Sequence, residues 1–427
     1  MKSLKVGMLG CGTVGSQIAR LLVANKADLT SRAGAQIELV KVAVRDAKVK
    51  RDGIPDNLIT TDANSIVNDP NIDLIIEVIG GISPAKELIL TALKNGKSVV
   101  TANKALLAKS GAELYEAASK ANVDLYYEAA VAGAIPILRP LRESLVGDQV
   151  VRIMGIVNGT TNYILTKMDE SGTAFADALK QAQDLGFAEA DPTADVEGFD
   201  AADKAAILAG LAFHSRVTDK DVYREGITKI TATDVKVAKA MDMVIKLLAI
   251  TELTGAGEIS VRVHPALISR NHPLASVRES YNAVFVEAKS AGQMMFYGRG
   301  AGGEPTASAV LGDLVAIARH KISGGIGPKE SDYASLKIAP IGQTKTKYLI
   351  RLNVADKPGV LESVAHVFAA HSVSIQTVRQ TGAGDKAELI VMTHSSTESA
   401  LSATVKDLSN LPAVTDVASV LRVEGAM

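Results

Sequence analysis

The stretch LKVGMLGCGTVG near the start of the chain constrains the fold most, because three spaced glycines join an apolar strand to a helix. Gly10, Gly12 and Gly15 have G-x-G-x-x-G spacing, and SQIARLLVANKADL follows with apolar residues at helical intervals. In such a turn the first glycine permits the bend, the second lets a pyrophosphate approach the backbone, and the third allows helix and strand to pack closely. The context predicts a dinucleotide site, against the alternative of an ordinary β–α turn.

Strands and helices alternate in the first third of the chain. IELVKVAVRD, DLIIEVIGG, KSVVTANK and VDLYYEAAV are apolar strand candidates, and helical patterns such as PAKELILTALKNG lie between them. This alternation predicts an α/β, Rossmann-type doubly wound parallel sheet.

The pattern changes after about residue 131. VVRIMGIV and NAVFVEAKS are typical of strands, and we predict helices over 173–185, 200–213 and 234–250, which together indicate an α+β second domain. GRGAGGEPTASAVLGDLVAIARH is a glycine-rich loop that opens a helix, and we expect this helix to return to the first domain.

The tail from Tyr348 shows strand and helix patterns in βαββαβ order, the ferredoxin-like arrangement. It follows a stretch rich in Gly, Pro, Ser and Lys that predicts a linker. The predicted division is a dinucleotide-binding domain over 1–131 plus about 305–340, a catalytic and dimerisation domain over 132–304, and a small domain over 346–427.

Composition argues against several classes of partner. A net charge of −1 gives no long-range field for nucleic acid or anionic membranes. The single cysteine, Cys11, allows no intrachain disulfide, which fits a reducing compartment. The sequence has no apolar run of about 18 residues, so no membrane span is predicted. We therefore expect a cytoplasmic protein without nucleic-acid or membrane partners.

Three polar positions follow the predicted strands. Arg45 stands where an acid would bind the ribose of NAD, so its guanidinium favours NADP, although Asp46 keeps NAD open and a solvated loop is the alternative. Lys104 follows a strand at the edge where α/β sheets bind ligands, or is a helix-surface lysine. Glu128 precedes AVAGAI, a bend whose carbonyl oxygens would suit a hard monovalent cation, an interpretation that the residues alone leave open.

Two further motifs carry polar groups. Asn158 in NGTTN either caps the following helix or binds a polar ligand. GFAEADPTADVEGFDAADK holds six carboxylates and one lysine. A metal site is disfavoured there, which leaves a surface ion pair between Asp200 and Lys204, or a pocket whose carboxylates bind a substrate ammonium while Lys204 exchanges a proton.

The ordered motifs GCGTVG, TANKALLA, YEAAVAGAIPI, NGTTNYIL, GFAEADPTADVEGFDAADK and GAGGEPTA resemble the homoserine dehydrogenases that carry a C-terminal ACT domain. The resemblance covers nearly the whole chain. It implies interconversion of L-homoserine and L-aspartate 4-semialdehyde with NAD(P), in the biosynthesis of threonine, methionine and isoleucine.

The resemblance also implies roles for single residues. Lys204 would be the proton donor and Lys104 a second catalytic lysine; Glu189 and Asp200 would hold the substrate, with Asp195 in the same pocket. Beyond the glycines of the loop, the residues implied to contact the cofactor are Thr13, Val14, Arg45, Lys104, Gly186 and Gly303. A sodium ion would be bound by Glu128 and the main-chain oxygens of Val131, Gly133 and Ile135.

The ACT resemblance implies an amino-acid effector, with threonine expected, at the loop Asp356–Val360; the alternative is a tail that only dimerises. We expect a homodimer or homotetramer, and a chain truncated near residue 345 that escapes threonine inhibition. Two other functions stay open: a catalytically silent sensor of NAD(P) and an amino acid, and a related amino-acid dehydrogenase.

Overall fold

The structure is a computed structural model that describes residues 3–51, 53–382 and 387–425. Its first part contains β1 (Ser3–Leu9), α1 (Thr13–Ala24), α2 (Lys26–Ala33), β2 (Gln36–Ala43), β3 (Ile59–Thr60), α3 (Ala63–Val67), β4 (Leu74–Glu77), α4 (Ala85–Lys94), β5 (Ser98–Thr101), α5 (Lys104–Ala121) and β6 (Leu125–Tyr126). The strands form one parallel sheet in the order β3-β2-β1-β4-β5-β6, which confirms the predicted Rossmann-type sheet.

The second part forms a mixed layer of helices and strands. It contains β7 (Val150–Ile156), α6 (Gly159–Ser171), α7 (Phe175–Asp184), α8 (Thr193–Val196), α9 (Phe199–Ala212), β8 (Tyr223–Arg224), α10 (Ala232–Ala240), β9 (Met243–Leu253), β10 (Ile259–Ser269), β11 (Tyr281–Ala288), β12 (Gly292–Arg299) and α11 (Gly303–Ser323). Two predicted helices are confirmed as α7 and α9.

The predicted helix over 234–250 is wrong in its second half. The helix ends at Ala240, and the strand β9 begins at Met243. Nearly every residue of β9 is buried, on both faces of the sheet, so the alternation that marks a half-buried strand is missing from its sequence. A continuous apolar run of this kind does not distinguish a strand from a buried helix.

The helix α11 returns to the first part of the chain, as predicted. Its residues Ala307, Val310 and Leu314 are buried in the same core as Val6 of β1 and Ile18 of α1. The start of α11 is thereby held close to the glycine-rich turn between β1 and α1.

The C-terminal part has the predicted ferredoxin-like order. It contains β13 (Lys345–Val354), α12 (Val360–Ala370), β14 (Ile375–Thr381), β15 (Ala387–Thr393), the short β16 (Ser396–Thr397), α13 (Glu398–Leu408) and β17 (Val414–Val423). One face of its sheet packs on its two helices around Ile350, Val364 and Leu401.

The C-terminal part is not a detached module, because its sheet continues that of the second part. The strand order is β12-β11-β7-β9-β10-β17-β13-β15-β14, and β17 pairs with β10 in parallel at Ala266–Arg422 and Leu267–Val423. Leu349, Ile390 and Met392 belong to the core that the second part also uses. The exact domain boundaries stay a prediction. Among the described residues, no helix is long and apolar enough to cross a membrane.

Candidate active site

The glycine loop between β1 and α1 has the backbone geometry that its spacing requires. Gly10 has φ +99°, and a Cβ there would lie 2.8 Å from the carbonyl oxygen of Val78. A Cβ on Gly15 would lie 2.5 Å from the carbonyl oxygen of Gly10, whereas one on Gly12 would meet nothing within 4 Å. The backbone at Gly12 is therefore open to a ligand, beside the unpaired first amides of α1 at Thr13 and onward.

Two other segments meet this loop. A Cβ on Gly303 would lie 3.0 Å from the carbonyl oxygen of Thr13, so the start of α11 is packed directly against the start of α1. Arg51 Nε lies 3.4 Å from the carbonyl oxygen of Cys11. Arg45 is exposed just beyond the end of β2. Arg51 lies in the basic stretch that follows Arg45, and the structure brings its guanidinium to the glycine loop.

A buried carboxylate that the sequence analysis missed fixes the neighbouring strand ends. Glu77 Oε1 accepts hydrogen bonds from the amides of Ile79 (2.8 Å) and Gly80 (3.1 Å), and its Oε2 accepts one from Thr101 Oγ1 (2.6 Å). Burial raises the pKa of Glu77. The one available indication was an acid inside the apolar run LIIEVIG.

The start of α5 is capped in a way that orients its first residue. Asn103 Oδ1 accepts a hydrogen bond from the amide of Leu106 (3.2 Å), while Asn103 Nδ2 donates to the carbonyl oxygen of Gly81 (2.6 Å). Lys104, the first residue of α5, therefore extends from a fixed point at the carboxyl end of β5.

Lys104 and Lys204 meet on one carboxylate, Asp200. Lys104 Nζ lies 2.8 Å from Asp200 Oδ1, and Lys204 Nζ lies 2.6 Å from Asp200 Oδ2. Lys204 Nζ also donates to the carbonyl oxygen of Val157 at 2.6 Å. The Lys104 side chain is 41% exposed and that of Lys204 only 9%. We name Lys104, Lys204, Asp200 and Asn158 the lysine cluster.

Asn158 connects the lysine cluster to α6. Its Oδ1 accepts a hydrogen bond from the amide of Thr161 at 2.9 Å, so it caps the helix. Its Nδ2 donates to Asp195 Oδ1 at 2.6 Å and to Asp200 Oδ2 at 2.9 Å. The amide group thus sets the distance between the two carboxylates.

The two lysines differ in pKa although they share a partner. Burial disfavours the charged form of Asp200, but Lys204 and Lys104 outweigh it, and the pKa of Asp200 lies well below its ordinary value. Burial lowers the pKa of Lys204, with Lys104 adding repulsion, whereas the attraction of Asp200 raises the pKa of Lys104. Lys104 is thereby stabilised as a cation, and Lys204 releases a proton more readily.

The remaining acids of the segment 186–204 differ in burial and in pKa. Burial raises the pKa of Asp195, and burial with the charge of Asp219 raises the pKa of Asp203 to about 6. Glu189 is exposed on the loop between α7 and α8, as is Gly186 (φ +74°). The Glu189 side chain makes no hydrogen bond or ion pair within the described part of the chain, so the structure does not bring it into the lysine cluster.

Glu128 is buried just after β6 in a 3₁₀ turn, rather than at the end of a strand. Its Oε1 accepts hydrogen bonds from the backbone amides of Ile137 (2.6 Å) and Leu138 (2.8 Å), and its Oε2 accepts one from the backbone amide of Arg139 (2.8 Å). The loop between these residues turns through Gly133, where φ is +55°. Glu128 thus holds the whole loop 131–139 around its carboxylate.

A second carboxylate, Asp313 of α11, lies against this loop. It accepts a hydrogen bond from the amide of Glu128 at 2.8 Å and pairs with the Arg139 guanidinium. Burial and the charge of Glu128 raise the pKa of Asp313 to about 7 despite Arg139. Arg139 thus contacts both buried carboxylates, Asp313 through its guanidinium and Glu128 through its backbone amide. Among residues 3–51, 53–382 and 387–425, no group of three or more His, Cys, Asp or Glu side chains is arranged to hold a metal ion.

Comparison with known proteins gives consistent matches over the whole chain. The family profiles "Homoserine dehydrogenase, NAD binding domain", "Homoserine dehydrogenase" and "ACT domain" match residues 10–128, 136–315 and 348–413. The homoserine dehydrogenase of Mycobacterium tuberculosis is 54% identical, with 99% of this chain and 98% of the relative covered.

Solved structures give the same result. A homoserine dehydrogenase from Thiobacillus denitrificans superposes with a TM-score of 0.94 at 40% identity, covering 99% of this chain and 98% of that one. A hyperthermophilic archaeal homoserine dehydrogenase, solved in complex with NADPH, superposes with a TM-score of 0.64 at 27% identity, covering 74% of this chain and 98% of that one.

Proposed function

The chain belongs to the homoserine dehydrogenase family, and on that premise we propose how its residues divide the work of the reaction. The protein is an NAD(P)-dependent oxidoreductase that acts on a CH–OH group and interconverts L-homoserine and L-aspartate 4-semialdehyde. Its ACT domain indicates regulation by a small ligand.

We propose that the cofactor pyrophosphate binds the loop Gly10–Gly15 at the open backbone of Gly12 and at the first amides of α1, including Thr13 and Val14. Gly186, Gly303 and Lys104 would border the remaining part of the cofactor. When bound, the nicotinamide accepts or supplies the hydride. Arg45 is exposed at the end of β2 and would pair with a 2′-phosphate, which favours NADP over NAD.

Asp195 and Asp200 line the pocket that we propose for the substrate ammonium, and Glu189 would join them from the neighbouring loop. Asp200 already accepts from two lysines and Asn158, whereas Asp195 accepts only from Asn158 among side chains of the lysine cluster. A carboxylate has about four acceptor positions, so Asp195 keeps more capacity for a ligand. Glu189 would contact the substrate only after its exposed loop moves inward.

Lys204 is proposed as the proton donor to the aldehyde oxygen. The observation that carries this is the placement of its ammonium: two of its three N–H groups are directed to Asp200 and Val157, which leaves the third for a ligand. Burial lowers its pKa, which favours proton release. Lys104 would stay charged, hold Asp200 in place and stabilise negative charge on the oxygen.

The direct test is oxidation of NADPH on addition of L-aspartate 4-semialdehyde, followed by absorbance, with NADH in parallel. Turnover that is rapid with NADPH and slow with NADH supports the proposed NADP preference. Binding of NADPH without turnover would favour the silent sensor, and turnover of only another aldehyde in a substrate panel would favour a related dehydrogenase.

For a sodium ion, we propose a site at Glu128 with main-chain oxygens of Val131, Gly133 and Ile135. What supports it is the set of partners: Asp313 pairs with the Arg139 guanidinium, whereas the Glu128 carboxylate accepts only from backbone amides among the described residues, so a cation there would complement a buried carboxylate. Replacing sodium with tetramethylammonium should lower both activity and thermal stability, and no change in either would contradict the site.

For the effector, we propose that threonine binds at the loop 356–360, where Gly359 (φ +87°) begins α12. Because β17 pairs with β10, deleting the tail would damage the second part of the chain as well, so point variants are the better test. Gly359→Ala should weaken threonine inhibition while kcat is kept. Unchanged inhibition would favour a tail that only dimerises.

For assembly, we propose that β12 meets a second copy. It is the edge strand of the long sheet, and Met295 and Tyr297 on it are 39% and 53% exposed. Tyr297→Glu should convert the oligomer to monomer in light scattering, and an unchanged mass would move the interface elsewhere.

A further inference from the structure

A buried arginine at the end of β17 joins the ACT domain to the catalytic domain. Arg422 Nη1 donates to Glu225 Oε2 at 2.8 Å, and its Nη2 donates to Tyr223 Oη at 3.1 Å. The same guanidinium pairs with Glu398, the first residue of α13. We name Arg422, Glu225, Glu398 and Tyr223 the junction cluster.

The segment that carries Glu225 packs against residues 189–200, which we name the acidic segment. Arg224 donates to the carbonyl oxygen of Glu197, and its guanidinium lies 3.5 Å from the ring centroid of Phe199. The amide of Ile227 donates to the carbonyl oxygen of Val196 at 2.8 Å. Backbone and side-chain contacts therefore tie 224–227 to residues that stand between Asp195 and Asp200.

Gly226 shows how tightly the two segments pack. A Cβ at this position would lie 2.6 Å from the Cα of Glu197. On the other side, the amide of Glu225 donates to the carbonyl oxygen of Val263 in β10 at 2.8 Å. The segment is thus held between a central strand and the acidic segment, with little room to move independently of either.

We propose that the junction cluster positions the acidic segment, so that Arg422 and Glu225 act as positioning residues for the substrate pocket without touching it. Removing the guanidinium would leave Glu398, whose side chain is 7% exposed, as an uncompensated buried charge. It would also remove the ion pair that holds the half-exposed Glu225, so the segment 223–227 would be free to shift. Displacement of a pocket residue by about 1 Å is enough to cost catalytic efficiency. The inference rests on the proposed role of Asp195 and Asp200 in substrate binding.

The chain provides a matched control in Arg351. It is also buried on an ACT strand, β13, and it also bridges the domains, with Nη1 2.6 Å from Asp234 and Nη2 2.6 Å from Glu388. Asp234 belongs to α10, and none of these contacts leads to the acidic segment. Loss of Arg351 should therefore destabilise the interface to a similar degree without disturbing the substrate pocket.

The experiment compares Arg422→Met, Arg422→Lys, Glu225→Gln and Arg351→Met in the full chain, with Tm and KM for both substrates. We expect Arg422→Met and Glu225→Gln to raise KM for L-aspartate 4-semialdehyde roughly tenfold while KM for NADPH is unchanged. Arg422→Lys should recover part of the effect, and Arg351→Met should lower Tm with KM unchanged.

Two results would overturn the proposal: KM unchanged in Glu225→Gln, or KM raised equally by Arg351→Met. Glu225→Gln is the decisive variant if Arg422→Met does not fold, because it keeps the shape of the side chain. Asp200→Asn serves as reference. If it leaves kcat and KM intact, the assignment of the pocket fails; if it impairs them while Glu225→Gln does not, only the positioning role fails.

Discussion

Two buried carboxylates in this molecule are each held between two cationic side chains, which are lysines in one case and arginines in the other. Asp200 lies between Lys104 and Lys204. Glu424 lies between arginines: its Oε2 is 2.6 Å from Arg152 Nη2, and its Oε1 is 3.1 Å from Arg262 Nη2. The first pair borders solvent through Lys104, whereas Arg262 is only 1% exposed.

On the roles proposed above, the same electrostatic arrangement serves chemistry in one place and architecture in the other. A guanidinium stays protonated and presents a fixed fork of donors, and Arg262 uses that fork to bind Glu252 at 2.7 Å as well as Glu424. A lysine has one compact ammonium whose pKa moves with burial. The arginine pair fastens the ACT tail to the central sheet, and the lysine pair keeps an exchangeable proton.

Lys204→Arg tests the difference between the lysine pair and the arginine pair with the largest expected effect. The substitution keeps the charge next to Asp200, but arginine does not release a proton near neutral pH. We expect kcat to fall by about 10²–10⁴-fold, as for loss of general acid catalysis, while the Kd for NADPH from fluorescence titration stays near wild type. Turnover close to wild type would mean that charge alone is needed at this position.

The reciprocal test is Arg262→Met in the arginine pair. It leaves Glu424 and Glu252 with one arginine between them, and removal of one member of a buried ion network typically costs about 3–5 kcal/mol. We expect this loss in the free energy of unfolding from denaturant titration, with kcat near wild type in native buffer. A stable variant with poor kcat would contradict a purely architectural role.

The pH dependence of the two reaction directions sharpens the role of the lysine pair. In the proposed mechanism, reduction of the aldehyde uses Lys204 as ammonium, so kcat should fall as pH rises through the pKa of Lys204, which burial holds below the ordinary 10.5. Oxidation of homoserine needs the neutral amine, so kcat should rise over the same interval. Asp200 favours the charged form of Lys204, and Asp200→Asn should therefore shift both limbs to lower pH. If the pH dependence of kcat is unchanged in Asp200→Asn, a group other than Lys204 titrates in this interval.

The smallest expected effect concerns a third kind of cation, the exposed Arg45. Arg45→Ala removes a charge-assisted contact to the 2′-phosphate, so KM for NADPH should rise about tenfold and KM for NADH should not change. Arg51→Ala is the matched control: its guanidinium lies against the Cys11 carbonyl, so both cofactors should be affected alike. An equal loss for both cofactors in Arg45→Ala would remove Arg45 as the determinant.

Local sequence rules predicted the parts of the site that lie on one element. The spacing of Gly10, Gly12 and Gly15 predicts backbone positions that a Cβ would obstruct or leave open, and the structure shows those positions. Asp200 and Lys204 are four residues apart in a helix, which puts both on one face. Such short-range constraints are readable because helix and turn geometry repeat from protein to protein.

Contacts between distant segments were not predictable in the same way. Lys104 meets Asp200 because the fold brings α5 and α9 together, and Asn158 reaches Asp195 through a similar long-range contact. The parallel pairing of β17 with β10 leaves no periodicity or turn motif in either strand. For Glu189 the family resemblance implies contact with the substrate, but its side chain is exposed in the structure.

The pairing of β10 with β17 also sets an order of events during synthesis on the ribosome. At roughly 5–20 residues per second, β10 waits on the order of ten seconds for the strand that will protect its edge. During that time the nascent chain presents an unpaired strand edge together with the apolar surface later covered by Leu349, Ile390 and Met392. We therefore expect chains that end within the ACT region to be less soluble than the full chain, because this part of β10 and its apolar neighbours stay uncovered.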